Sequence, residues 1–178
     1  MIALDFQKIF YSNFPISADL ENLQEISWMY EEEMFSLDRI LLASSDKFQK
    51  RINQVLDPKF GLIKTGESYS HMALKSFGTD YLKVKLKIKP NAIFYEYPLI
   101  GFEVDLIDKG LHYPIECGDT SPIKLEKYLN LDTVINFSII PYHRLQSVFL
   151  YKFVPNKKFK EYINFKKEYL NKKNASFR

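Results

Sequence analysis

The residues best placed to do chemistry are acids set inside apolar runs. In the stretch PLIGFEVDLIDKGLHYPIECGDTSPIKLEKYL, Pro98 to Leu129, Glu103 and Asp105 lie two apart, and Glu116 follows within YPIEC. On a strand, residues two apart share one face. Carboxylates are rarely buried unless they are paired or bind a metal. Two neighbouring strands that each project a carboxylate the same way could hold a hard divalent cation through oxygen ligands. The alternative is a structural pair on sheet edges, satisfied by lysine or backbone.

The order of acidic strand, short hairpin, apolar-Glu-x-x strand and helix resembles the PD-(D/E)XK nuclease superfamily, with its restriction-endonuclease-like fold. The resemblance spans roughly Glu67 to Val154 and matches Asp105 to the first motif acid and Glu116 to the second. The family lysine would fall at Gly118, which has no side chain. Lys124 and Lys127, one and two turns into the following helix, are where the resemblance would relocate it. The family also carries an acid near the start of the helix before its first core strand. Glu67 is the candidate here; the competing account is a first-turn Glu complementing the helix dipole.

The resemblance implies metal-dependent hydrolysis of phosphodiester bonds in DNA. Asp105 and Glu116, with the backbone carbonyl of Cys117, would bind Mg²⁺ or Mn²⁺ and leave positions for water and a phosphate oxygen. Lys124 or Lys127 would orient the water or steady the oxyanion. Glu103 would be an accessory acid. Lys83, Lys85, Lys87 and Lys89, clustered just before the core strands, would track a phosphate backbone. A lysine-rich solvent face is the plainer account of that cluster. Gly118 favours a second reading, a nuclease fold without catalysis that serves as a DNA-binding or assembly module. A third is an α/β protein with no nucleic-acid role.

The elements that must position these residues can be read from periodicity and punctuation. Residues 17–56 show apolar residues at helical spacing, including Leu20, Leu23, Ile26, Leu37, Ile40 and Leu41, with Ser36 as a cap for a second helix. Glu31, Glu32 and Glu33 splay around such a helix and read as a solvated turn. Asp57-Pro58 and Gly61 mark a break. A helix from about Ser68 carries the stripe Leu74, Phe77, Tyr81, Val84 and Ile88, and Pro90 stops it. Strands follow at Ala92–Ile100, Phe102–Ile107 and His112–Cys117, with hairpin signals at Gly101 and Asp108-Lys109-Gly110. Ser121-Pro122 starts a helix, Thr133–Ile140 and Gln146–Val154 are strands, and a lysine-rich helix runs from Asn156. Its inner side is expected to hold Phe159, Tyr162, Ile163, Tyr169 and Leu170.

The expected fold is therefore α/β (α+β): a restriction-endonuclease-like αβββαβ core with a mixed central sheet. It would carry a helical N-terminal extension over residues 1–60, with the core and a basic C-terminal helix over 61–178. The extension could be an added layer, a DNA-contacting module or the arm of a homodimer.

Composition agrees with a folded chain: hydrophobic residues make up 46 % and charged residues 26 % of 178, ordinary for a globular protein. Charge is unevenly spread. Residues 155–178 hold eight Lys/Arg against two Asp/Glu, whereas residues 1–64 hold seven against ten. A basic tail suits a polyanionic partner. The single cysteine, Cys117, excludes an internal disulfide and a cysteine-based zinc cluster. No apolar run is long enough to span a membrane, and MIALDFQKIFY lacks a basic leader, so a cytoplasmic protein is expected. His71, His112 and His143 lack metal-ligand spacing and read as structural or exposed.

Overall fold

A computed structural model describes residues 6–11, 19–55, 68–142 and 147–175. The break expected at Asp57-Pro58 and Gly61, the candidate acid Glu67 and His143 fall outside them. The order is α1 (Phe6–Phe10), α2 (Leu20–Glu31), β1 (Phe35–Ser44), α3 (Ser45–Val55), α4 (Tyr69–Asp80), β2 (Ile93–Leu99), β3 (Phe102–Asp108), β4 (Ile115–Cys117), α5 (Ile123–Leu129), β5 (Phe137–Ile140), β6 (Ser147–Pro155) and α6 (Lys157–Ala175). Six strands form one mixed sheet in the order β1-β6-β5-β4-β3-β2. Only β4 and β5 run parallel, as the intervening crossover through α5 requires. The helix, three strands, helix and strand of the expected core are present in that order.

Two apolar layers sandwich the sheet. One packs α1, α2, α5 and α6 through residues such as Phe10, Met29, Tyr128 and Phe159 against Phe137, Ile139 and Phe153. The other packs α3 and α4 through Phe48, Ala73, Leu74 and Phe77 against Leu106, Ile115, Ile140 and Leu150. Strand β5 is buried at every position, because both its faces are covered.

The first correction concerns residues 35–44. They are not helical but form β1, which pairs antiparallel with β6 over its whole length. Ser36 is therefore a strand residue rather than a helix cap. Asp38 sits opposite Lys152 and makes an ion pair with it at 2.6 Å. Leu37, Ile40 and Leu41 satisfy a helical spacing, but Phe35 with Leu37 and Ile40 with Leu42 are each two apart, the first pair on one core layer and the second on the other. Pairing with β6 decided between them, an example of tertiary context overriding a local pattern.

The second correction concerns the end of the long helix. Helix α4 starts where expected, and Ser68 caps it, accepting from the His71 N–H at 3.2 Å. From Tyr81 to Lys85 the helix widens into a π-turn, with the Leu86 N–H reaching the Tyr81 carbonyl at 3.3 Å. The wider turn rotates later side chains off the stripe. Leu82 is wholly buried and Val84 is 58 % exposed, the reverse of the stripe's prediction. Lys83, Lys85, Lys87 and Lys89 are all exposed.

Helix α6 starts where expected, with Asn156 Oδ1 accepting from the Phe159 N–H at 3.3 Å. Phe159 and Ile163 are buried beneath it, but Tyr169 and Leu170 are 59 % and 47 % exposed. Its inner face therefore ends after about two turns. Strand β4 is also shorter than expected. Asp108 gathers residues 110–113 into a turn, accepting from the N–H groups of Gly110, His112 and Tyr113 at 2.7–3.0 Å. Among the described residues no helix is long and apolar enough to cross a membrane.

Phe153 of β6 lies fully buried and meets Phe10, Phe35 and Phe137 ring to ring. Phe153→Ala is expected to lower stability by about 3–5 kcal/mol, read from the urea unfolding midpoint.

Candidate acidic site between strands β3 and β4

Strands β3 and β4 share a single ladder pair, Leu106 with Ile115. Carrying that register on by one residue sets Asp105 across from Glu116. The strands part there, and a side chain fills the place of the next ladder bond. Asp105 Oδ2 accepts the backbone N–H of Cys117 at 2.7 Å. The other oxygen, Oδ1, meets His71 Nε2 at 3.1 Å and Lys75 Nζ at 3.5 Å. His71 and Lys75 are four apart on α4, so both face the sheet from one side of the helix.

Glu116 turns to the opposite layer. Ile115 and Cys117 belong to the core beneath α3 and α4, so Glu116 between them projects toward α5. Lys124 Nζ lies 2.8 Å from its Oε2, and the Tyr128 hydroxyl donates to Oε1 at 3.1 Å. Lys124 and Tyr128 are again four apart on one helix face. The same ammonium donates to the backbone carbonyl of Glu103 at 3.0 Å, tying α5 to both strands.

Burial drives the electrostatics. It pushes the Glu116 carboxyl up to about 7, against the lowering pull of Lys124, and the nearby Asp105 charge adds to the rise. Burial also raises Asp105, but the His71 contact, the Cys117 N–H and Lys75 outweigh it, and Asp105 stays below the usual carboxylate range. The pair is thus split: one acid firmly ionised, the other poised near neutrality. Tyr128 is pushed above its ordinary value by burial and by Glu116, which keeps its proton available for that hydrogen bond.

The expected site residues fall as follows. Asp105 and Glu116 stand at facing positions of β3 and β4 but turn to opposite layers: Asp105 meets α4 and the Cys117 N–H, and Glu116 meets Lys124 and Tyr128 of α5. Lys127 points to solvent, so Lys124 is the lysine that reaches Glu116. Glu103 is exposed and contributes its carbonyl rather than its carboxylate.

Gly118 holds φ +83, and a Cβ there would meet the Tyr142 ring at 2.6 Å. The left-handed conformation and the overlying ring together exclude a lysine at this position. A cation for Glu116 must come from elsewhere, and α5 supplies it.

Three participants escaped the sequence reading. His71, expected to be structural or exposed, contacts Asp105. Lys75 is a 7 %-exposed lysine within MALKSF, and a lysine inside an apolar helical run was the available signal. Glu96 lies in β2 at φ +49, and its Oε1 accepts from Lys75 Nζ at 2.9 Å. The β2–β3 ladder skips Glu96 and Asp105 between the pairs Tyr95–Leu106 and Tyr97–Val104. A non-glycine residue in this conformation is costly, and such strain concentrates at functional sites.

Among the described residues no group of three or more His, Cys, Asp and Glu side chains could cage a metal ion. The donors present are the hard oxygens of two carboxylates. Hard oxygens suit Mg²⁺ or Mn²⁺ by chemical type, but each carboxylate here turns to its own side of the sheet and already meets protein donors. Comparison with protein-family models, with curated proteins and with solved structures finds no match for this chain.

Two outcomes test the site. Glu116 binds a proton more tightly folded, near pH 7, than at its ordinary value of 4.5. Its stabilisation is therefore complete below the ordinary value and lost as pH rises through about 7. Wild-type stability should fall relative to Glu116→Gln between about pH 5 and pH 8.5, by on the order of 3 kcal/mol; a constant difference would mean that Glu116 titrates normally. Placing the family lysine by Gly118→Lys should cost at least about 1–2 kcal/mol from backbone conformation alone, read from urea unfolding.

Proposed function

We propose that this protein is a metal-dependent nuclease that hydrolyses phosphodiester bonds in DNA. The observation that carries the reading is the pair of buried acids, Asp105 and Glu116, at facing positions where β3 and β4 part, with Lys124 from the next helix bonded to Glu116. The PD-(D/E)XK resemblance supplies their roles, with Lys124 standing in for the lysine that Gly118 lacks. The order of elements and the mixed sheet support it. The exposed lysines at 83, 85, 87 and 89 add a surface suited to a phosphate backbone.

In this reading Asp105, Glu116 and the Cys117 carbonyl would hold Mg²⁺ or Mn²⁺ once one carboxylate has left its present partners. The bound ion supplies an acidified water and charge neutralisation at the phosphate. Asp105 enters as a carboxylate, held ionised by His71, Lys75 and the Cys117 N–H. Glu116 gives up its proton and its contact with Lys124. The freed ammonium, still anchored at the Glu103 carbonyl, then stabilises negative charge developing on a phosphate oxygen. Tyr128 keeps Glu116 oriented from beneath.

One observation favours a second reading, a nuclease fold that binds DNA without cutting it. The carboxylate oxygens of Asp105 and Glu116 already meet protein donors, two of them lysine ammonium groups. Such internal pairing can satisfy buried acids with no metal at all.

Incubation with duplex, single-stranded and branched DNA in Mg²⁺, Mn²⁺ or EDTA separates the two. Metal-dependent cleavage is expected, abolished by Asp105→Asn and by Glu116→Gln. Lys124→Ala should slow it by roughly 10²- to 10³-fold, with Lys127→Ala close to wild type. Binding without cleavage on every substrate would establish the second reading instead.

A further inference from the structure

Helices α2 and α6 pack on the same core layer, through Leu23, Ile26 and Met29 from one and Phe159 and Ile163 from the other. They lie side by side and antiparallel. Lys158 Nζ reaches the Glu32 carbonyl, Trp28 meets the Tyr162 ring edge-on at 5.1 Å, and Lys166 Nζ lies 2.7 Å from Glu25 Oε1. Away from the core the pair carries a strip of aromatic rings. Tyr162, Phe165 and Tyr169 follow one another at steps of three and four along α6, and Trp28 joins them from α2. Trp28 is 42 % and Phe165 67 % exposed.

A single exposed aromatic needs no explanation, but a contiguous strip of them marks an interaction surface. The charges on the same two helices identify what covers it. Helix α2 carries Glu21, Glu25 and Glu31 with no basic residue, and Glu32 and Glu33 follow it. Helix α6 carries seven lysines against two glutamates. The internal pair of Glu25 with Lys166 uses only part of this charge; Glu21, Glu31 and Lys172 remain exposed. One half of the surface is thus acidic and the other basic, with the rings between. A nucleic acid or an anionic lipid surface would be repelled by the acidic half. The complement is a surface with the same two halves exchanged, and a second copy of the chain supplies it.

We infer that this face docks a second copy of the chain in a two-fold dimer. Such an interface uses one patch twice and must complement itself. A two-fold axis running along the helices lays α2 of each copy on α6 of the other, acid on base. An axis running across them would lay α2 on α2 and α6 on α6, like charge on like. The first arrangement brings Glu21 of one copy to about the level of Lys172 of the other, at both ends of the interface, and makes the aromatic strip its shared centre. The inference goes beyond the nuclease reading and does not depend on it.

Trp28 is the only tryptophan of the chain, so its emission reports on the strip directly. Sedimentation over a concentration series should show the wild type passing from one chain to two, with Trp28 emission moving to the blue in step. Phe165→Ala should weaken dimerisation by roughly 10-fold or more and leave the urea unfolding midpoint of the single chain unchanged, because the ring is exposed there. Glu21→Lys and Lys172→Glu should each weaken self-association by about 10-fold, since each sets like charges together twice. Mixed in equal amounts, the two variants should dimerise as tightly as wild type, because every reversed side chain then meets an unlike charge. A single chain at all concentrations would overturn the inference and leave the strip to a different partner. So would a dimer indifferent to Phe165→Ala, or one that the two reversals leave unweakened or that their mixture fails to restore.

Discussion

The bond from the Cys117 N–H to the Asp105 carboxylate is the constraint on which the site depends. Beyond Leu106 and Ile115 the two strands no longer share backbone bonds, so the N–H of Cys117 needs another acceptor. A carboxylate takes that role, and a negative charge is thereby fixed inside the sheet. Such a charge must be compensated. Helix α4 answers with His71 and Lys75, and α5 brings Lys124 to the neighbouring acid. Each helix presents its pair of polar side chains at a spacing of four, within a face that is otherwise apolar. The packing that builds the two core layers is thus the same packing that neutralises the site.

The two acids nevertheless end up unequal. Asp105 has three donors around one carboxylate, whereas Glu116 has a lysine and a tyrosine in a drier setting. Burial dominates at Glu116 and loses at Asp105. A cation entering such a site would displace a proton from one acid and compete with ammonium groups at both. Gly118 belongs to the same balance. Because Tyr142 covers it and its backbone is left-handed, the lysine that serves Glu116 is carried by a helix rather than by the strand of the acid itself.

Much of this was legible in the sequence, for identifiable reasons. Hairpin signals and β-branched runs located β2, β3, β5 and β6, because turn chemistry and burial act locally. Asp105 and Glu116 could be singled out because charges in apolar runs are costly, whereas Lys124 was named, together with Lys127, only through the resemblance. The strand at residues 35–44 was illegible because its pattern fits both periods, and only its partner β6, more than a hundred residues away, decides. The π-turn was hidden for a similar reason: one extra residue per turn leaves no mark on composition. His71 and Glu96 were hidden because neither sits in a telling run. Their roles come from α4 crossing the sheet and from a left-handed residue within β2, neither of which local spacing encodes.

The distortion at Glu96 has a consequence of another kind. A long, regular edge strand offers unpaired backbone groups to any passing extended chain, and invites aggregation. Strand β2 offers no such straight template. Its ladder is interrupted at Glu96, and Pro98 lacks an N–H near its end. The residue that brings the Phe94 and Tyr97 rings together therefore also makes this edge a poor template for a second copy of the chain.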